Sequence, residues 1–467
     1  MRSSSLLLSM SMLLLTSALL MAGAARAEPS ANTYYVAPTG DDANPGTLAQ
    51  PWRTIQHAAD QLTPGDTVYI RAGTYHEHVN VTRSGSAGAW LTLAAYPGET
   101  PTVDGEGFDL WNWGAVIDLS EQSYVRVSGL RVINSAYAGI FADTGSHLIV
   151  DHCITYNTAS SGIAFFGARD VLVDSNEVIW AGWGGQQEHI SIADVNGFEV
   201  RDNRVHGFNP ATGGKEGIDA KDGAANGSIH HNQVYDLNRV GIYVDAFSRR
   251  TYNIAVYANL VHHIAADGMA MASEAGGALE NIRVYNNVSA HNRYVGLGIS
   301  NCCADLSATH PMTDLLILNN TFFGNGQPDW GGGIHIVNPD LTNLVIRNNI
   351  ASQNLTFQIL AEAGAPLAAM RIDHNLIDGY RGEPGELYGE DYVEGDPLFF
   401  DSAAVDFHLR RGSPAIDRGA ASDAPAQDFD GRPRPLDGDA DGIAAFDIGA
   451  YEVAPQTGWS YLPLIRR

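Results

Sequence analysis

The chain has 467 residues, with 27 Lys and Arg against 53 Asp and Glu, a formal charge of −26, 50 glycines and 3 cysteines. That charge argues against nucleic acid as a partner, because such binding rests on basic side chains that neutralise phosphates. The glycine content with only 17% charged residues argues against a helical bundle, and 45% hydrophobic residues against wholesale disorder.

Residues 1–27 read as a signal peptide: Arg2 opens a short basic region, Leu6 to Ala22 is almost wholly apolar, and Ala25-Arg26-Ala27 supplies an A-x-A cleavage site. No later stretch is long and apolar enough for a transmembrane segment, so a secreted or cell-surface protein beginning at Glu28 is expected. Residues 28–120 read as an N-terminal cap and first coils. Within them Thr54 to Leu62 has helical spacing, Pro64-Gly65-Asp66 stops it, and a strand follows over Thr67 to Arg71. A helix here would cover the apolar end of a stacked coil.

Residues 121–380 are a repeat. Short alternating strands end in Asn176, Asn203, Asn232, Asn259, Asn287, Asn320, Asn349 and Asn375, which is 199 residues in seven steps, a mean of 28. A second short strand follows each, as in GIDAK at 217, GIYVD at 241, GMAMA at 268 and GLGIS at 296. A fixed period of short strands without intervening helices predicts an all-β solenoid, a right-handed parallel β-helix with an N-terminal helical cap. Stacked Asn amides can satisfy buried backbone groups at every turn, so this column reads as scaffold. Cys153 occupies the same column one repeat earlier and reads as structural. Adjacent Cys302 and Cys303 are poorly placed for a disulfide with each other.

Residues 381–453 form an Asp-rich C-terminal region and 454–467 a tail. Asp437-Gly438-Asp439-Ala440-Asp441-Gly442 alternates carboxylates as a calcium loop does, yet Ile448 stands where the twelfth-place acid belongs. A structural calcium and a simple acidic turn both fit.

By the strand period of two, Ile218 and Ala220 point inward while Asp219 and Lys221 point outward. Glu216, Asp219, Lys221 and Asp222 thus share one coil with Tyr243 and Asp245 on the next. Coils lie ~4.8 Å apart and successive outward places about 6.6 Å apart, so these groups converge on a patch the size of a sugar ring. The chain's two lysines, Lys215 and Lys221, both fall on this coil. Arg249, Tyr243 and the loop tryptophans Trp183 and Trp330 are the expected substrate-binding groups, aromatic faces suiting sugar stacking. The bland alternative is a solvated charge ladder.

The stretch from Tyr34 to Asp104 and the coils to about Tyr380 resemble secreted right-handed β-helix proteins of the family 9 polysaccharide lyases. In that family a metal-site coil reads acid-Gly-aromatic-x-Ala-Lys, to which Glu216-Gly217-Ile218-Asp219-Ala220-Lys221 is similar. The next coil departs, with Arg239-Val240-Gly241 where the family carries consecutive aspartates, and no lysine follows Lys221. The PAIDRG…DIGAYE block resembles the choice-of-anchor ending of surface-associated β-helix proteins. The resemblance implies a monomeric pectate or uronan lyase acting on polysaccharide by calcium-assisted β-elimination. Glu216, Asp219, Asp222 and Asp245 would be Ca²⁺ ligands and Lys221 the base, its proton repelled by the cation. Two alternatives stand beside it: a glycoside hydrolase using Asp219 and Asp245 as paired carboxylates with Lys221 orienting one, and a non-catalytic glycan-binding surface scaffold.

Overall fold

The computed structural model describes residues 31–110, 113–301 and 309–455; the signal-peptide stretch, Cys302, Cys303 and the tail from 456 onward lie outside the described residues. Three parallel sheets of thirteen, eleven and thirteen strands run the length of the coil, each turn giving one strand to each sheet. Around the acidic patch one turn comprises Ile218–Lys221, Ala225–His230 and Gln233–Tyr235, after which Ile242–Ala246 begins the next. The strands are short because a three-sided coil must turn sharply after each side. Residues at positive φ make many of those corners, Asn286 and Asn319 among them.

The interior follows from the period of two. Ile218, Ile242, Met269, Leu297 and Ile334 stack in register as one inward column, and all are fully buried. Beside them runs the amide ladder. Asn259 Nδ2 donates to Ile229 O of the preceding coil at 2.9 Å and to Asn287 Oδ1 of the next at 2.9 Å, while its Oδ1 accepts from Asn232 N and Nδ2, each at 3.0 Å. The same pattern joins Asn176 through to Asn375. Cys153 N donates to Asn176 Oδ1 at 2.9 Å, which seats the cysteine at the head of the column, and burial pushes its thiol up to about 12. A second ladder, which the sequence reading did not find, joins Asn292, Asn325, Asn354 and Gln358.

The cap is a helix over Ile55–Gln61, N-capped by Thr54, whose side-chain oxygen accepts from His57 N at 3.2 Å. Ile55, Ala58 and Ala59 form its buried face. At the other end the chain does not simply continue past the last coil. It folds back along the side, so that Phe407, Ala450 and Tyr451 pack on Val288 and Ala290, and Ala415 and Ile448 on Ile350 and Leu376. Asn319 Nδ2 and Asn348 Nδ2, outside the coil at two corners, donate to Asp447 O at 3.0 Å and Ala420 O at 2.8 Å. No helix among the described residues is long and apolar enough to cross a membrane.

Candidate active site

Asp219, Tyr243 and Asp245 point outward from the eleven-stranded sheet, yet they are only 2%, 9% and 5% exposed. Loops cover them. The segments carrying Trp113, Gln186 to Glu188, Arg239 and Phe247 to Arg249 stand around the patch and leave a cleft of about 820 Å³. Its lining holds nine carboxylates (Asp143, Glu188, Asp194, Glu216, Asp219, Asp222, Asp245, Asp267 and Glu274) against four cations, Lys215, Lys221, Arg239 and Arg249.

Lys221 lies opposite Asp245 in strand register, but its amine turns back to the preceding coil. Nζ is 2.5 Å from Glu188 Oε2, donates to Gln187 Oε1 at 2.9 Å and sits 3.8 Å from Asp219 Oδ2. Despite its burial, Glu188, Asp219 and Asp245 together hold it charged, with its pKa well above the usual lysine range. Glu188 in turn accepts from Ser191 Oγ at 2.7 Å.

Among the described residues, neither Asp219 Oδ1 nor Asp245 Oδ1, both buried, has a hydrogen-bond partner. Burial raises both carboxyls well above the normal range. For Asp219 the neighbouring Asp245 adds to the rise and Lys221 opposes it; for Asp245 the largest addition is Glu274. Among the described residues only Asp219 of the two has a cation within 4.0 Å. Glu274 accepts a hydrogen bond from Tyr243 OH, and burial together with the charge of Glu274 pushes the phenol far up and leaves it a neutral donor. Asp267 is half-buried on the coil after Asp245; desolvation moves its carboxyl up to about 6, and its Oδ1 accepts from Val295 N at 3.3 Å.

The other expected site residues are engaged differently. Glu216 Oε1 accepts from Arg239 Nε at 3.2 Å. Asp222 accepts from the backbone N–H groups of Ser248 and Arg249 at 2.9 and 2.7 Å, which keeps its carboxyl below the usual range. Arg249 lines the cleft, paired 2.7 Å from Asp194 Oδ2. Of the four expected Ca²⁺ ligands, Glu216 and Asp222 are thus occupied by arginine and backbone donors, and Asp219 and Asp245 retain a free oxygen each. The donor chemistry of those two oxygens suits a hard cation. However, among the described residues the only three acids whose oxygens lie within 4.8 Å of one another are Asp417, Asp437 and Asp439. There Asp417 supplies, from an earlier turn of chain, the third carboxylate that the loop from Asp437 to Asp441 does not place itself.

Both tryptophans expected at the substrate lie outside this cleft. Trp183 lines a separate pocket, and Trp330 packs edge-on against Tyr294 and His335 at 5.6 and 5.3 Å. The aromatic wall is instead Trp113, 5.4 Å from Phe166 and itself half exposed. Glu188 and Asp267 precede their strands in the same slot as Glu216, a signal that could have placed them. Glu274 and Trp113 carry no such signal, since each lies beyond the repeating strand.

Residues 34–180 match the family model described as Pel9A-like, right handed beta helix region, and residues 138–310 match the one described as right handed beta helix region. The hand of the coil is therefore the expected one. The uncharacterized protein YwoF of Bacillus subtilis (strain 168) is 26% identical over 446 residues, 84% of this chain and 93% of that protein. Pectate lyase PEL9 of Emericella nidulans is 29% identical over 187 residues, 37% of this chain and 44% of that protein, so the match spans less than half of the lyase. The crystal structure of pectate lyase Pel9A superposes with a TM-score of 0.53 at 16% identity, covering 91% of this chain and 97% of that one, a likeness of fold.

Proposed function

We propose that this Pel9A-like right-handed β-helix protein is a polysaccharide-cleaving enzyme acting outside the cell, and that it hydrolyses glycosidic bonds with Asp219 and Asp245. One observation carries the reading: two buried carboxyls on adjacent coils line one cleft, and each has an oxygen without a hydrogen-bond partner among the described residues. Glycoside hydrolysis needs one protonated and one ionised carboxyl, and environments that split a pair in this way assign the roles. The two titrate as a pair, and the ammonium of Lys221, 3.8 Å from Asp219 Oδ2, biases ionisation to Asp219. Asp245, beside Glu274 and without an ion pair, keeps the proton and gives it to the leaving-group oxygen. Asp219 then attacks the anomeric carbon or activates water there. Trp113 offers a sugar-stacking face, and the acid-rich lining suits a neutral glycan better than a polyanion.

The test is mass spectrometry of products from mixed pectin and hemicellulose, with and without EDTA. Saturated fragments are expected, unchanged by EDTA, with Asp219→Asn and Asp245→Asn each lowering kcat about 10³-fold or more. Full hydrolytic activity in both variants would end this reading.

The likeness to a pectate lyase supports a second reading, elimination from a uronan. Asp219 and Asp245 would then hold Ca²⁺, which when bound supplies a counter-charge for the uronate carboxylate. With those acids neutralised, Lys221 would lose the interactions that keep it protonated and could take the proton from C5. Fragments lighter by one water, lost with EDTA and with Lys221→Ala, are its signature.

A further inference from the structure

Around the corner from the main cleft is a second pocket of about 290 Å³, walled by residues 105–107 and 134–136, Asn157 and Trp183. Trp183 is held there by its neighbours: Gly182 N donates to Ser160 O at 2.8 Å and Gly184 N to Ala159 O at 2.7 Å. Among the described residues its buried indole Nε1 has no hydrogen-bond partner, a costly state. Opposite stands a polar wall. Asn157 Nδ2 donates to Asn134 Oδ1 at 2.9 Å, and Asn134 Nδ2 to Asp104 Oδ1 at 3.0 Å, so both amide nitrogens are engaged, while among the described residues no donor meets Asn157 Oδ1. Glu106 is exposed at the rim, and among the described residues it has no ion pair and no lysine or arginine lines the pocket.

A flat aromatic ring, an unmet N–H, an unmet amide oxygen and a carboxylate make a site for an uncharged ring bearing hydroxyls. A uronate would meet Glu106 with no cation to offset it. The segment that carries Trp183 also supplies Gln186, Gln187 and Glu188 to the main cleft. Three residues of chain span at most about 11 Å, so the two sites lie within reach of one oligosaccharide.

We propose that this pocket is a distal sugar subsite, taking a neutral pyranose residue of the same glycan chain that is cleaved at Asp219 and Asp245. This rests on the reading of the main cleft as a glycan site, so the test measures binding without turnover. The full chain carrying Asp245→Asn is titrated calorimetrically with xylohexaose, cellohexaose, mannohexaose and hexagalacturonate, and with the trisaccharides of the neutral series. The expected result is that a neutral hexasaccharide binds and that adding Trp183→Ala weakens it about tenfold, with Asn157→Ala weakening it severalfold. The corresponding trisaccharide, too short to reach, should lose no affinity. Trp183→Phe, which keeps the ring and loses the N–H, should fall between, and an unchanged melting midpoint in Asn157→Ala separates binding from folding. Hexasaccharide affinity untouched by both Trp183→Ala and Asn157→Ala would overturn the proposal. So would equal losses for tri- and hexasaccharide, or binding of hexagalacturonate alone. Loss of hydrolysis as the protein's reaction would leave this binding result standing on its own.

Discussion

In the hydrolase reading Lys221 tunes the paired carboxyls rather than reacting itself. Its amine is anchored by Glu188 and Gln187 and reaches Asp219 across 3.8 Å. Lys221→Met removes the positive charge that opposes the raised pKa of Asp219, so less of that carboxylate is ionised at a given pH. In the hydrolase reading the acid limb of kcat/KM should therefore move to higher pH, by about one unit, and the basic limb set by Asp245 should move the same way, since Lys221 also opposes the raised pKa of Asp245. A pH–rate profile checks this; an unshifted acid limb would remove Lys221 from that role. The acidic patch was legible because period-two alternation placed Asp219, Lys221, Tyr243 and Asp245 on one outward face. Three things were not legible: the direction in which Lys221 folds, the approach of Glu274 to Tyr243 from a third coil, and the roof that buries all of them. Each depends on loops whose course the repeat does not dictate, and the same freedom sent Trp183 and Trp330 away from the cleft and brought Trp113 to it.

Asparagine columns hold the coils in register. Asn259→Ala deletes an amide whose donors meet Ile229 O and Asn287 Oδ1 and whose oxygen serves Asn232, all fully buried. Leaving those partners unmet should cost about 3 kcal/mol or more in urea unfolding, with activity per folded molecule retained. Cys153→Asn is the converse. Cys153 Sγ lies 3.8 Å from Val127 O, the carbonyl equivalent to Val150 O that receives Asn176 Nδ2, so an Asn there would extend the column by one rung. It should be tolerated and raise stability by about 1 kcal/mol, and a clear drop in the urea midpoint would show that this coil has no room for the amide. The first column could be read from sequence because each Asn ends a strand with a regular apolar pattern. The second, through Asn292, Asn325 and Asn354, sits in turns with no pattern beside it and emerges only when the coils are stacked.

Across the whole molecule, a charge of −26 is carried with some acids buried, and among the described residues Asp66, Asp245, Glu386 and Asp447 are buried without an ion pair. Asp447, in the C-terminal block that flanks the coil, is fully buried; burial and the nearby Glu452 move its carboxyl up to about 8, while its oxygens accept from Asp417 N and Val453 N. A folded-state pKa raised above the unfolded one means that the native state binds the extra proton. That stability is complete below the unfolded value and is lost as pH rises through the folded one. Between pH 6.5 and 8 Asp447 alone accounts for about 1.5 kcal/mol, and Asp219 and Asp245 act in the same direction. Below pH 6.5 buried histidines oppose the trend: His262, pushed down to about 4 by burial, and His189 and His230 stay neutral in the fold and gain protons on unfolding. Below pH 4 the ion pairs of Asp373 with Arg347, which depress its pKa, are lost as it protonates. The melting midpoint should therefore rise as pH falls from 8 to 6.5, flatten, and drop below pH 4. Calorimetric scans across that range check it, and a midpoint that instead climbs from pH 6.5 to 8 would mean that the buried acids are paired by something outside the coil.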